Sequence, residues 1–360
     1  MIDFSCDYNC GCAPEILAAL TAANESQHAT YGLDAISARA KEKIRAAVGN
    51  PDADVFFLVG GTQTNATVLS SILRPWEGVV SAASGHIAVH ESGAVEATGH
   101  KVLPVEADAC GRIEPETLRA YLRGFYADDT YPHMVQPGAV YLSHPTEYGG
   151  LYSAAALREI RATCDEYGLS LFVDGARLAY ALASPETDVT LPLLGKVCDV
   201  FYIGGTKCGA LLGEAVVFRR SQKHFFTAHK QRGALLAKGF LLGLQFDTLF
   251  SDDLYLRLGR QGTECALALR EGLRAMGVAF RPESGSNQQF PVLSSEQLQK
   301  LDGKIGYEIW QRLADGSAVI RLCASWRTTM ADVDAVLDVL KSLGALGDMP
   351  DSNQINLFDM

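Results

Sequence analysis

Six short apolar runs recur between residues 54 and 218, with helix-like stretches between many of them. They read DVFFLVG (54–60), GVVSAA (78–83), GAVYLS (138–143), LSLFVDG (169–175), DVFYIGG (199–205) and GEAVVF (213–218). Each is short, rich in β-branched or aromatic residues and nearly free of polar alternation, the pattern of a strand covered on both faces. Strands alternating with helices restrict the chain to a mostly parallel α/β sheet. TNATVLSSILRP (64–75) is predicted to open on a capping Thr64 and to stop at Pro75. SAAALREIRATCDEYG (153–168) is predicted to start at Ser153 and to end on Gly168, which tolerates positive φ. The last two strands are joined too tightly for a crossover helix, so they form an antiparallel hairpin.

The pattern changes after residue 250. A long amphipathic helix (254–277) is followed by a strand-like NQQFPVLS (287–294), a helix over 295–314, a strand SAVIRLCASW (317–326) and a final helix over 329–346. The expected organisation is a large domain over 1–250 that carries an N-terminal arm, a small α+β domain over 251–345, and a loose tail over 346–360. A chain of 360 residues with 48% hydrophobic and 20% charged residues has enough apolar surface for both cores.

The net charge of −11 argues against nucleic acid or an anionic membrane as a partner. No apolar run reaches the roughly 18–20 residues of a membrane span. The opening MIDFSCDYNCG has neither a basic nor an apolar signal region, so a cytoplasmic protein is expected. Nine scattered cysteines, an odd number, do not form a disulfide framework. Cys6, Cys10 and Cys12 cluster without further ligands at metal-site spacing, and no metal is expected.

Four features carry chemistry. Asp174 ends a buried strand, where ligands of α/β sheets gather; a carboxylate there needs a cation, and Arg177 either meets it or serves a ligand alongside it. Lys207 ends another strand, in IGGTKCGAL; its glycine neighbours allow close approach, and a partly desolvated lysine forms imines. LVGGTQTNATV (58–68) is a strand, Gly-Gly-Thr and a helix, which suits one phosphate but lacks either nucleotide-binding spacing. SGHIAVHESGA (84–94) offers His86 and His90, in an order that does not favour metal; His86 suits a place over a flat ring. Phosphate cradle, His, Asp with Arg, then Lys is what a phosphate-bearing pyridine aldehyde requires.

LFVDGARLAYA, FYIGGTKCGALLGEAVVF, GGTQTN, HIAVHESGA and YGLD (31–34), in their places along the chain, resemble the threonine aldolase / β-eliminating lyase family over about residues 4–340. The resemblance implies the pyridoxal phosphate (PLP)-dependent fold type I of the aspartate aminotransferases, with a seven-stranded-type sheet. It implies that Lys207 binds PLP as an imine, that Asp174 pairs with the ring nitrogen, and that Gly61, Thr62 and Gln63 hold the phosphate. Thr206 stands where the family has Ser. His86 stacks on the ring and is a candidate base. Arg177 and Arg321 hold the substrate carboxylate, Cys6 sits where a substrate-contacting Ser or Asn is usual, and Tyr31 reaches a neighbouring subunit's site in a homodimer or homotetramer. The implied reaction is cleavage of β-hydroxy-α-amino acids to glycine and an aldehyde. The alternatives are β-elimination and a non-catalytic PLP-binding regulator. LSHPTEYGG (142–150) and QRGALLAKG (231–239) depart from the family pattern. No role is carried to His144, and Arg232 or Lys238 replaces the usual phosphate-binding arginine.

Overall fold

The computed structural model describes residues 2–342. A short strand, β1 (Ile2–Asp3), opens the chain, followed by two helices that the sequence reading did not resolve, α1 (Pro14–Ala23) and α2 (Ala35–Val48). Asp34 caps α2, its Oδ1 accepting from Ser37 N at 2.8 Å, and Gly49 at φ +64° ends it.

The six expected strands all form and a seventh joins them. They are β2 (Asp54–Leu58), β3 (Glu77–Ala82), β4 (Val102–Val105), β5 (Gln136–Ser143), β6 (Ser170–Asp174), β7 (Val200–Gly204) and β8 (Glu214–Phe218). β4 escaped the reading because VLPV is short and holds a proline, which an edge strand tolerates. The sheet order is β2-β8-β7-β6-β5-β3-β4. β8 alone runs against its neighbours, pairing antiparallel with both β2 and β7. The 199–218 hairpin is therefore as expected, and the tight bends within it use Gly209 and Gly213 at φ +99° and +116°.

One apolar layer packs Ile44, Leu157, Leu194, Phe201 and Phe246 against one face of the sheet; a second packs Val68, Tyr141, Phe172 and Val216 on the other. Helix 154–167 starts and ends as read, with Ser153 Oγ accepting from Ala156 N and Gly168 at φ +70°. The helix after β2, α3 (Gly61–Ile72), begins three residues earlier than predicted. No side chain caps it and Thr64 lies inside it, so its first N–H groups face outward at the sheet edge.

A third core gathers Cys265, Leu269 and Leu273 of the long helix Leu254–Ala275 with Ile320 and Leu322 of the strand Ala318–Cys323 and Val333 and Val336 of the helix Met330–Ser342. Phe4 joins this core, and β1 pairs with Ile305–Gly306. NQQFPVLS splits at Pro291 into Gln288–Gln289 and Val292–Leu293. The helix expected over 295–314 is corrected: only Ser295–Leu301 is helical, closed by a Ser294/Gln297 capping box. Gly303 at φ +71° breaks it, and the β-rich segment that follows forms the strand Glu308–Arg312 against Ala318–Cys323. The tail expected over 346–360 lies outside the described residues.

Candidate active site

The ends of β2, β5, β6 and β7 meet at one edge of the sheet, around a cavity of about 290 Å³. Asp174, Lys207, His86, Gly61, Thr62, Thr206 and Arg177 all line it. A seven-member cluster from distant sequence segments at one strand edge is the binding geometry of an α/β sheet.

Asp174 is buried at the end of β6. Its Oδ2 accepts from Tyr141 Oη at 2.6 Å and Asn65 Nδ2 at 3.1 Å, and its Oδ1 from Ala176 N at 2.9 Å. Burial pushes its pKa up, but the His86 charge and donors including Tyr141 and Tyr202 outweigh this and hold it below the ordinary value. The carboxylate stays ionised with no Arg or Lys beside it among the described residues, so it can receive a cationic ring nitrogen.

Arg177 is not its partner, which corrects one of the two readings above. Leaving β6, the chain turns the guanidinium toward Asp7, with Nε–Oδ2 at 2.7 Å and a second bond at 3.0 Å. Asn287 Nδ2 donates to the same carboxylate at 2.9 Å. Burial raises the Asp7 pKa, yet Arg177 and Lys207 bring it down to about 2.

Lys207 follows β7 and opens onto the cavity. Burial, then the neighbouring Arg177 charge, lowers its pKa, and no carboxylate lies within ion-pair distance of Nζ among the described residues. Tyr180 Oη donates to its backbone carbonyl at 2.7 Å, and the Tyr8 ring lies 5.8 Å from Nζ. Thr206 Oγ1 accepts from Gly213 N and closes the turn. Glu214 opens β8; its Oε2 accepts from Gly205 N at 3.0 Å, and burial pushes its pKa up to about 8.

His86 begins a four-residue helix, and its Nδ1 lies 2.8 Å from Glu91 Oε1, which also accepts from Asn65 Nδ2. An ionised Glu91 makes Nδ1 the donor. Burial pulls the His86 pKa down, while Glu91 and Asp174 raise it to a net value above the ordinary one.

Four of the expected positions do not line the cavity. Gln63 turns its Oε1 toward Val59 N at 3.4 Å. Cys6 is half-buried beside Asp7, and Tyr8, two residues on, takes the wall position. Arg321 is paired with Glu308 and stacked 5.1 Å from Trp310. Tyr31 is exposed, with Lys230 Nζ 4.5 Å from its ring. Arg232 and Lys238 are also absent from the wall. His144 is buried away from the cavity, its pKa pushed down to about 4. Among the described residues no cluster of metal ligands occurs.

PLP fits this set. A Cβ on Gly61 would lie 3.1 Å from Tyr202 Oη, a tight contact beside the free N–H groups that start α3. An amine without a carboxylate in ion-pair reach and a carboxylate without a lysine or arginine partner, among the described residues, share the cavity with them. Ala176 lines the same wall and supplies an apolar surface for a ring.

The chain resembles known proteins across almost its whole length. A sequence profile of the beta-eliminating lyase family matches residues 3–319. A low specificity L-threonine aldolase of a Pseudomonas species is 32% identical over 337 residues, 92% of this chain and 94% of that protein. Its Pseudomonas aeruginosa counterpart is 30% identical over 347 residues, 94% and 96% of the two chains. A threonine aldolase structure from Leishmania major superposes with a TM-score of 0.92 at 41% identity, covering 95% of this chain and 99% of that one. The aspartate aminotransferase of Thermus thermophilus shares the fold, with a TM-score of 0.68 at 15% identity. By its profile match, its relatives and its architecture, the chain belongs to the beta-eliminating lyase family.

Proposed function

We propose that this protein is a PLP-dependent aldehyde-lyase that cleaves the Cα–Cβ bond of β-hydroxy-α-amino acids such as L-threonine or L-allo-threonine, releasing glycine and an aldehyde. The observation that carries the reading is one cavity holding an unpaired lysine, an ionised carboxylate without a cation, and an uncapped helix start. The threonine aldolase relatives support the choice of substrate.

Bound PLP supplies an electron sink for the pair left by the broken Cα–Cβ bond. Lys207 is the amine that would hold it by an imine. Asp174 stays ionised against the ring nitrogen and holds a proton there through catalysis. The N–H groups of Gly61 and Thr62 bind the phosphate, and His86 covers one ring face. Arg177, already oriented by Asp7, offers its remaining donors to the substrate carboxylate and fixes which Cα bond is aligned for cleavage. Arg321 reaches the same carboxylate on exchange from Glu308.

A homodimer or homotetramer fits the exposed Leu33 and Tyr31, and Leu211 in the turn after Lys207. Its Tyr31 would complete a neighbour's site. Unpaired thiols at all nine cysteines suit the cytoplasm.

Incubation with L-threonine, L-allo-threonine, phenylserine and tryptophan tests the reading. Glycine with the matching aldehyde is the expected product. Pyruvate in its place would assign the chain to β-elimination.

A further inference from the structure

One carboxylate in the cavity wall has no lysine or arginine partner among the described residues. Glu147 lies in LSHPTEYGG and is 7% exposed. Its Oε1 accepts from the His86 backbone N–H at 2.9 Å and from Ser143 Oγ at 2.6 Å. Among the described residues, no donor reaches Oε2 and no Lys or Arg pairs with the group. A glutamine would satisfy the same two donors without the cost of a buried charge. The charge therefore serves something other than the fold.

The other carboxylates at the cavity, and His86, each already hold a hydrogen bond within the wall. Asp174 is saturated by donors at the end of β6. Glu214 is held by Gly205 N and sits opposite Leu58, on the side of the cavity where α3 begins. Asp7 is taken by Arg177 and Asn287. His86 gives Nδ1 to Glu91. Glu147 retains a free oxygen, and its bonded oxygen is anchored to the backbone of the residue that covers the ring.

We propose that Glu147 takes the β-hydroxyl proton of the bound amino acid. The assignment rests on the retro-aldol reading above. The carboxylate accepts the O–H proton, and the O–H bonding pair becomes the π bond of the departing aldehyde. The Cα–Cβ pair remains with Cα, delocalised into the bound cofactor. The proton on Glu147 is then released to solvent, which restores the carboxylate, while Cα takes a proton from water independently of Glu147, so glycine leaves.

The groups facing Glu147 are His86 from the helix it begins, Asp174 from β6, Tyr141 from β5, and Tyr148 and Tyr152 from its own segment. Burial raises its pKa most, Ser143 and His86 oppose this, and Asp174 adds to it.

Glu147→Gln in the PLP-loaded enzyme tests the role. Threonine cleavage should fall about 10²–10⁴-fold in kcat, and the acidic limb of the kcat/KM profile should vanish. Exchange of the glycine α-proton with D2O involves no β-hydroxyl and should stay within about threefold. The cofactor-free variant should melt at or above the wild-type temperature at pH 8. Cleavage within about tenfold of wild type, parallel loss of glycine exchange, or a lowered melting temperature would each overturn the proposal. Failure of the underlying reading would show in the wild type itself, as threonine left uncleaved or turned to pyruvate.

Discussion

Replacing Asp174 by asparagine keeps the shape of the side chain and removes its charge. The carboxylate now accepts from Tyr141, Asn65 and Ala176. An asparagine oxygen can still take some of these bonds, but its amide meets the donors head-on. The fold should survive, because β6 is set by Leu171, Phe172 and Val173, all fully buried. What is lost is the attraction between a carboxylate and a protonated ring nitrogen. At about 4 Å and an effective dielectric of about 20, that attraction is about 4 kcal/mol. At about 1.4 kcal/mol per decade, kcat for threonine cleavage should fall roughly 10³-fold. Steady-state assay of aldehyde release, with the melting temperature and PLP content measured on the same sample, checks this. A loss smaller than about tenfold in a PLP-loaded, folded variant would refute the assignment of Asp174 as the ring partner.

Asp7→Asn leaves the Arg177 guanidinium buried without its counter-charge and should cost about 3–5 kcal/mol of stability, read by urea denaturation. The wild-type Asp7 has its pKa lowered to about 2, so its contribution is complete above the unfolded value and is lost as pH falls from about 4 toward 2. That contribution is on the order of 2 kcal/mol, and the acid-dependent loss should shrink by this amount in the variant. Gly61→Val should weaken PLP binding at least about tenfold in an absorbance titration, because the new side chain meets Tyr202 Oη at the helix start. Gly175→Ala drives a Cβ into the Tyr202 carbonyl and should destabilise the fold by about 3 kcal/mol in thermal melts.

Residues whose place follows from a strand end were legible in the sequence. Asp174, Lys207 and the Gly60–Gly61 turn each close an apolar run, and the parallel sheet then carries them to one edge. The partners that tune these groups were not legible, because they are set by packing between distant segments. Arg177 meets Asp7 across 170 positions of sequence, and Asn287 meets the same carboxylate across 280. Asn65 joins Glu91 to Asp174 only because α3 starts early enough to place it over the end of β6. Its signal was available in its position about one turn from Gly61, had the helix start been read at the glycines. Glu147 was hidden by the contrast between LSHPTEYGG and the family pattern, which drew the reading to His144. In 295–314 the apolar spacing suited either period, and Gly303 with IGYEIW decided for a strand.

The account turns on Lys207 as the amine that attaches PLP. Borohydride reduction of the PLP-loaded protein, followed by proteolysis and mass spectrometry, tests this most directly. A phosphopyridoxyl group on the peptide containing Lys207, absent from Lys207→Ala, is the expected result. Label on another lysine, or undiminished label in the variant, would contradict the account.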